Sequence, residues 1–305
     1  MRIFDAKFVN IVVIGMALSL LPVTAFAYDQ KRTISKDELS DSYGTIAKSY
    51  QYEQTQKSAP KRSILPLTPH FEKGSFAYSL GVEAAQNNDY ERAAKHWLLS
   101  SNDGNFYADW QLARYYLGAF DNQKNDVKAI KFLRLVASQN GLNSESRTRK
   151  QISADAMVEL ADFYTLGSEP AKLKPQLQVA LKLLKLAASA VGHATANYKL
   201  GQLYFTGDYL KPQKNRAIRY YIYSARKNNF LAQIKLGEIF YLRGRNAKDR
   251  REGLAWLLIA KKNKSPNLQQ QVDQIITKTG NSKLTKQQLN RAQNMADMFY
   301  LKWKF

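Results

Sequence analysis

From Phe71 onward apolar and polar residues alternate with helical periodicity, broken at short intervals by Gly or Asn. The stretch ANYKLGQLYFTG (196–207) sets a frame: Ala196 at i, Leu200 at i+4, Gly201 at i+5 and Tyr204 at i+8. On a helix of 3.6 residues per turn these positions form one stripe, and the small residue at i+5 lets a second helix come close. The same frame fits Ala108, Leu112, Ala113 and Tyr116, then Ala156, Leu160, Ala161 and Tyr164, then Ala232, Leu236, Gly237 and Phe240. A weaker first copy has Phe76, Leu80 and Gly81. Each full copy stops at a glycine three residues after a tyrosine: Gly118, Gly167, Gly207 and Gly244. Glycine adopts the left-handed conformation that ends a helix without steric cost.

A second helix follows in every copy. Ala217, Tyr220, Tyr221, Ser224 and Ala225 sit at i, i+3, i+4, i+7 and i+8. The same spacing fits Ala129, Phe132, Leu133, Val136 and Ala137, then Ala180, Leu183, Leu184, Ala187 and Ala188. It fits Gly253, Trp256, Leu257 and Ala260 in the last copy, and Ala93, His96, Trp97, Ser100 and Ser101 in the first. Gly104, Gly141, Gly192 and Asn229 are the expected stops of these helices. The repeat leucines at 80, 112, 160, 200 and 236 recur every 32 to 48 residues. That period predicts an all-α fold, an α-α superhelical solenoid in which each pair buries its apolar face by stacking on its neighbours. The longest gap holds LNSESRTRKQISAD (142–155), read as an insertion between pairs, and SEPAKLKPQLQ (168–178) lengthens the turn inside the third pair.

The expected organisation has four parts. Residues 1–27 read as a signal peptide: Arg2 and Lys7 are followed by an apolar run from Val9 to Leu21, and Ala25-Phe26-Ala27 places cleavage after Ala27. Residues 28–70 are polar, rich in Ser, Lys and Gln, and predict a disordered arm. Residues 71–264 carry five helix pairs, and residues 265–305 supply two capping helices split at Gly280. Localisation in the periplasm follows as an expectation.

The pattern Ala-x3-Leu-Gly-x2-Tyr, a glycine turn and a second helix ending in small residues resembles Sel1-like repeats, relatives of the tetratricopeptide class. Larger blocks, FAYSLGVEAAQNNDYERAAKHW, LLKLAASAVGHATANYKLGQLYFTGD and SARKNNFLAQIKLGEIFYLRGRNAKDRREGLAWLLIA, resemble the alphaproteobacterial ExoR family of periplasmic exopolysaccharide regulators. The resemblance implies a repressor that binds the periplasmic domain of a sensor histidine kinase, with an envelope protease relieving the repression.

Composition narrows the chemistry. There are no cysteines among 305 residues, which excludes thiol nucleophiles and cysteine-held zinc. The net charge is +21, and removing the leader leaves that balance almost unchanged. Behind an export signal this charge points away from nucleic acid and toward weak binding of acidic polysaccharide, lipid or protein surfaces, or else reflects basic residues spread over solvated helix faces. His70, His96 and His193 show no metal-ligand spacing, and no nucleophile elbow, phosphate loop or zinc-protease helix is present. No cofactor and no enzymatic activity are expected. The tyrosines at 107, 115, 116, 220, 221 and 223 read as packing between helices. Candidate partner-binding residues lie at i+3 and i+6 of the first helices: Gln111 and Arg114, Glu159 and Asp162, Lys199 and Gln202, Lys235 and Glu238. Two readings stay open for this row, a face offered to a partner and an ordinary solvated face. The basic turn RGRNAKDRR (243–251) is a further candidate, with a solvated turn as its alternative.

Overall fold

Twelve α-helices in chain order make up the computed structural model, which describes residues 73–120, 123–139, 141–207, 212–244, 246–262, 266–278 and 284–303. All fall within the unit Ser35–Phe305. The expected leader, its cleavage after Ala27, and the arm 28–70 lie outside the described residues.

Five helix pairs follow one another. They are α1 (Ser75–Gln86) with α2 (Tyr90–Asn102), α3 (Phe106–Tyr116) with α4 (Asp126–Ser138), and α5 (Arg147–Leu166) with α6 (Leu177–Val191). The fourth is α7 (Ala194–Thr206) with α8 (Lys214–Ala225), and the fifth is α9 (Phe230–Gly237) with α10 (Ala247–Lys261). Two further helices, α11 (Pro266–Lys278) and α12 (Lys286–Trp303), close the described chain. Each helix packs on its neighbours in sequence as far as α11, and α12 packs back on α10. This neighbour-to-neighbour packing makes an all-α solenoid.

The repeat stripe is the core. Ala108, Ala156, Ala196 and Ala232 are fully buried, as are Leu112, Leu200 and Leu236, with Leu160 nearly so. Each such leucine contributes about 1.5–3 kcal/mol by leaving water. The small i+5 residue acts through steric room. A Cβ on Gly201 would press on the Tyr221 ring, one on Gly81 on Trp97, and one on Gly237 on Leu257. Serines at i+7 of two second helices tie each pair together: Ser100 Oγ donates to the Gly74 carbonyl at 2.8 Å and Ser224 Oγ to the Ala194 carbonyl at 2.7 Å.

Helix starts are chemically marked. Side chains of Asn105, Asn125, Ser146, His193, Asn229 and Asn246 accept from backbone N–H groups of the first turn, satisfying donors that have no partner within the helix. Gly118, Gly167 and Gly207 take φ values of 77°, 79° and 71°, as the repeat frame requires. In the first pair Asn88 takes over this role at φ 62°.

Several expectations need correction. Residues 142–155 are not a free insertion: from Arg147 onward they extend α5 at its start, making it 20 residues long. Gly244 is not left-handed. Before it, Glu238–Leu242 widens into a π turn, and Gly244 is needed because a Cβ there would strike the Phe240 carbonyl and Asp249. The same widening explains why the fifth pair replaces the second-helix alanine with Gly253, whose absent Cβ leaves room for the Phe240 and Tyr241 backbone. Asn229 is a cap that starts α9, and the left-handed residue is its neighbour Asn228 at φ 60°. Gly141 begins a 3-10 turn packed on Ser153.

Candidate partner-binding surface

The predicted polar row on the first helices is not a solvated face. Gln111 and Arg114 on α3 are buried, as are Lys199 and Gln202 on α7. Glu159 and Asp162 on α5, with Lys235 on α9 and Glu238 in the π turn, are half-buried. The cause is the stacking itself, which brings successive first helices side by side. Lys199 Nζ lies 3.0 Å from Asp162 Oδ1, an ion pair that crosses from the fourth pair to the third. Arg114 Nη1 donates to Gln111 Oε1 at 3.2 Å, and its guanidinium sits 4.8 Å over the Phe120 ring. Gln202 Nε2 donates to the Tyr198 hydroxyl at 3.0 Å. Lys235 donates to Glu238 at 2.8 Å and lies 5.7 Å over the Phe205 ring.

Charges this far from water are costly unless paired. The row is therefore internally bonded and links the third, fourth and fifth pairs through Lys199–Asp162 and Lys235–Phe205, and Glu159, Asp162, Lys235 and Glu238 are its members nearer to solvent. The structure brings the eight residues into one row and commits half of them to the interior.

A second polar cluster was invisible in the sequence. Asp109 on α3 is 1% exposed. It accepts from Ser101 Oγ of α2 at 2.5 Å and from Gln139 Nε2 beyond α4 at 2.7 Å. Burial pushes its carboxyl above the usual range, while these two hydrogen bonds and Lys131 pull it back. The partners lie 8 and 30 residues away, so no local motif announces them. Burial likewise raises Glu252, with nearby Asp249 adding to the effect.

His193 has a structural role. Its Nδ1 accepts from the Ala196 N–H at 3.2 Å, so Nε2 carries the hydrogen and donates to Asp155 Oδ1 at 2.7 Å. His96 is half-buried within α2, and His70 lies outside the described residues. Among the described residues no group of three or more His, Asp or Glu side chains is placed to hold a metal ion. In the basic turn, Arg250 Nη1 folds back on the Gly244 carbonyl at 3.1 Å, Asp249 is buried, and Arg245 lies outside the described residues. Tyr115, Tyr116 and Tyr221 are buried packing residues as expected, whereas Tyr223 is 59% exposed.

This arrangement of stacked helix pairs, three of them closed by a glycine over a ring or leucine of the second helix, defines an all-α repeat protein. The Sel1 repeat matches residues 74–105, 107–141, 154–190, 194–229 and 231–265, and the chain belongs to the Sel1 repeat family.

Two curated proteins extend the comparison. The chain is 25% identical over 191 residues to the exopolysaccharide production negative regulator of Rhizobium meliloti (strain 1021), covering 62% of this chain and 69% of that protein. It is 24% identical over 190 residues to the protein of the same name from Rhizobium leguminosarum bv. viciae, with the same coverage of 62% and 69%. Both resemblances drawn from the sequence therefore hold. Among solved structures, a Sel1 repeat protein from Oxalobacter formigenes matches at 21% identity with a TM-score of 0.54, covering 85% of this chain and 99% of that one. That likeness shows the fold.

Proposed function

We propose that this protein is a periplasmic negative regulator of exopolysaccharide production, acting by binding the periplasmic domain of a sensor histidine kinase. The observation that carries the reading is the similarity to two proteins named as negative regulators of exopolysaccharide production. The fold supports it: a stack of Sel1 repeats offers an extended surface suited to a protein partner, which fits a non-enzymatic role. The half-buried members of the polar row, Glu159 and Asp162 on the third pair and Lys235 and Glu238 on the fifth, are the contact residues we assign. Cleavage by an envelope protease would remove the repressor and release the kinase.

Deleting the gene is expected to raise exopolysaccharide and kinase-dependent transcription, and a tagged copy is expected to co-purify with the kinase. Unchanged exopolysaccharide together with no co-purifying kinase overturns the reading.

A further inference from the structure

The second helices carry a repeated surface that the proposed function does not use. Counting from the buried small residue at i, position i+2 is Lys95 on α2, Lys131 on α4, Lys182 on α6 and Arg219 on α8, and all four are exposed. Position i+6 lies one turn further along the same helix face. It is Leu99, Leu135, Leu186 and Tyr223, exposed by 59%, 36%, 41% and 59%. Four successive repeats thus present a cation followed by an apolar side chain in the same register. The stack buries neither residue, because the burial stripe runs through other positions.

The charge on this face is little compensated. Lys95 pairs with Glu91 at 2.8 Å and Lys124 lies 3.9 Å from Asp126, but α6 and α8 contain no acidic residue at all. At the first rung a notch of about 300 Å³ opens between α2 and the start of α4, where Lys95, Lys124 and Lys128 converge beside Leu98, Tyr115 and Tyr116. Glu91 also lines it.

We infer that this face docks on an anionic phospholipid bilayer. Basic side chains near such a surface gain from its negative potential, and apolar side chains beside them gain from entering the headgroup boundary. The pairing of the two residue types decides the occupant. An acidic polysaccharide would use the cations and leave Leu99, Leu135 and Leu186 in water. An acidic partner helix would need its anchors along one groove, yet the four apolar residues sit on four separate helices. A fluid, planar surface needs no groove. Among the described residues no helix is long and apolar enough to cross a membrane. The inference goes beyond kinase binding and does not rest on it.

The test is flotation of the purified full chain with vesicles of phosphatidylcholine alone or mixed with phosphatidylglycerol. The parent protein is expected to float only with the anionic vesicles, and less so as salt rises. The variant K95E/K131E/K182E/R219E should lose affinity by roughly a thousand-fold or more, given four interfacial charges. The variant L99S/L135S/L186S/Y223S should still bind at low salt and detach at lower salt than the parent. All eight positions are exposed, so both variants should keep the parent's circular dichroism. Equal binding of the charge-reversed variant, or no binding of the parent to anionic vesicles, overturns the inference. A salt profile untouched by the apolar variant also overturns it, since that marks a simple polyanion contact. Kinase co-purification, run on the same variants, reports on the proposed function separately.

Discussion

Gly201 offers a sharp test of how the repeats are held together. A Cβ at this position would lie 2.6 Å from both Cδ1 and Cε1 of Tyr221, and 3.1 Å from Cγ. Ordinary contact begins near 3.4 Å, so the methyl group would be about 0.8 Å too close. The ring cannot easily withdraw, because Tyr221 is fully buried with Tyr198 and Phe205 packed 5.9 and 6.2 Å from it. Overpacking of this kind costs about 1–3 kcal/mol. Replacing glycine with alanine inside a helix returns about 1 kcal/mol. Gly201→Ala should therefore destabilise the protein by about 1 kcal/mol, even though alanine is the better helix former. Pairs two and three already place Ala113 and Ala161 at this frame position, with the smaller Leu133 and Leu184 where the fourth pair has Tyr221. In a Tyr221→Leu background the same alanine should become stabilising by about 1 kcal/mol, giving a coupling near 2 kcal/mol. Urea unfolding followed by circular dichroism on the parent, both single variants and the double variant measures it. A stabilising Gly201→Ala in the parent, or effects that add to within about 0.5 kcal/mol, refutes the steric account.

Two further changes probe the polar contacts. Burial holds the Asp109 carboxyl above its usual range. Its favourable contribution is thus present below the ordinary carboxylate range and is lost as pH rises through the raised value. The stability of the parent relative to Asp109→Asn should therefore increase as pH falls through the acid range; urea midpoints that keep a constant difference at every pH contradict this. His193→Ala removes the α7 cap and the bond to Asp155, and should cost about 1–2 kcal/mol. His193→Asn restores a capping oxygen and should recover part of that loss in a thermal melt, and no recovery would show that the cap contributes little.

The repeat stripe was legible because burial imposes it locally. Ala196, Leu200, Gly201 and Tyr204 share one helix face, so their spacing alone reveals which face is inside. The polar row was misread for the same reason. Spacing shows that Lys199 and Gln202 avoid the alanine–leucine stripe, but it cannot show that the preceding first helix covers them from another side. Asp162 pairs with Lys199 across 37 positions, and only the stacking distance between repeats brings them together. Gly253 is instructive in a different way. Its departure from the alanine frame was visible, but its cause, the π turn at Glu238–Leu242, lies in a neighbouring helix. The exposed ladder from Lys95 to Tyr223 was present in the sequence at constant register. It emerges as a surface once the burial of the intervening positions is known.

The central claim is that these stacked hairpins act by offering a surface to another protein. Cross-linking in intact cells, followed by identification of what the chain captures, tests it most directly. The account predicts the periplasmic domain of a sensor histidine kinase among the products, lost when Glu159, Asp162, Lys235 and Glu238 are replaced together. Efficient cross-linking that yields no kinase, or a kinase product unaffected by those four changes, would contradict it.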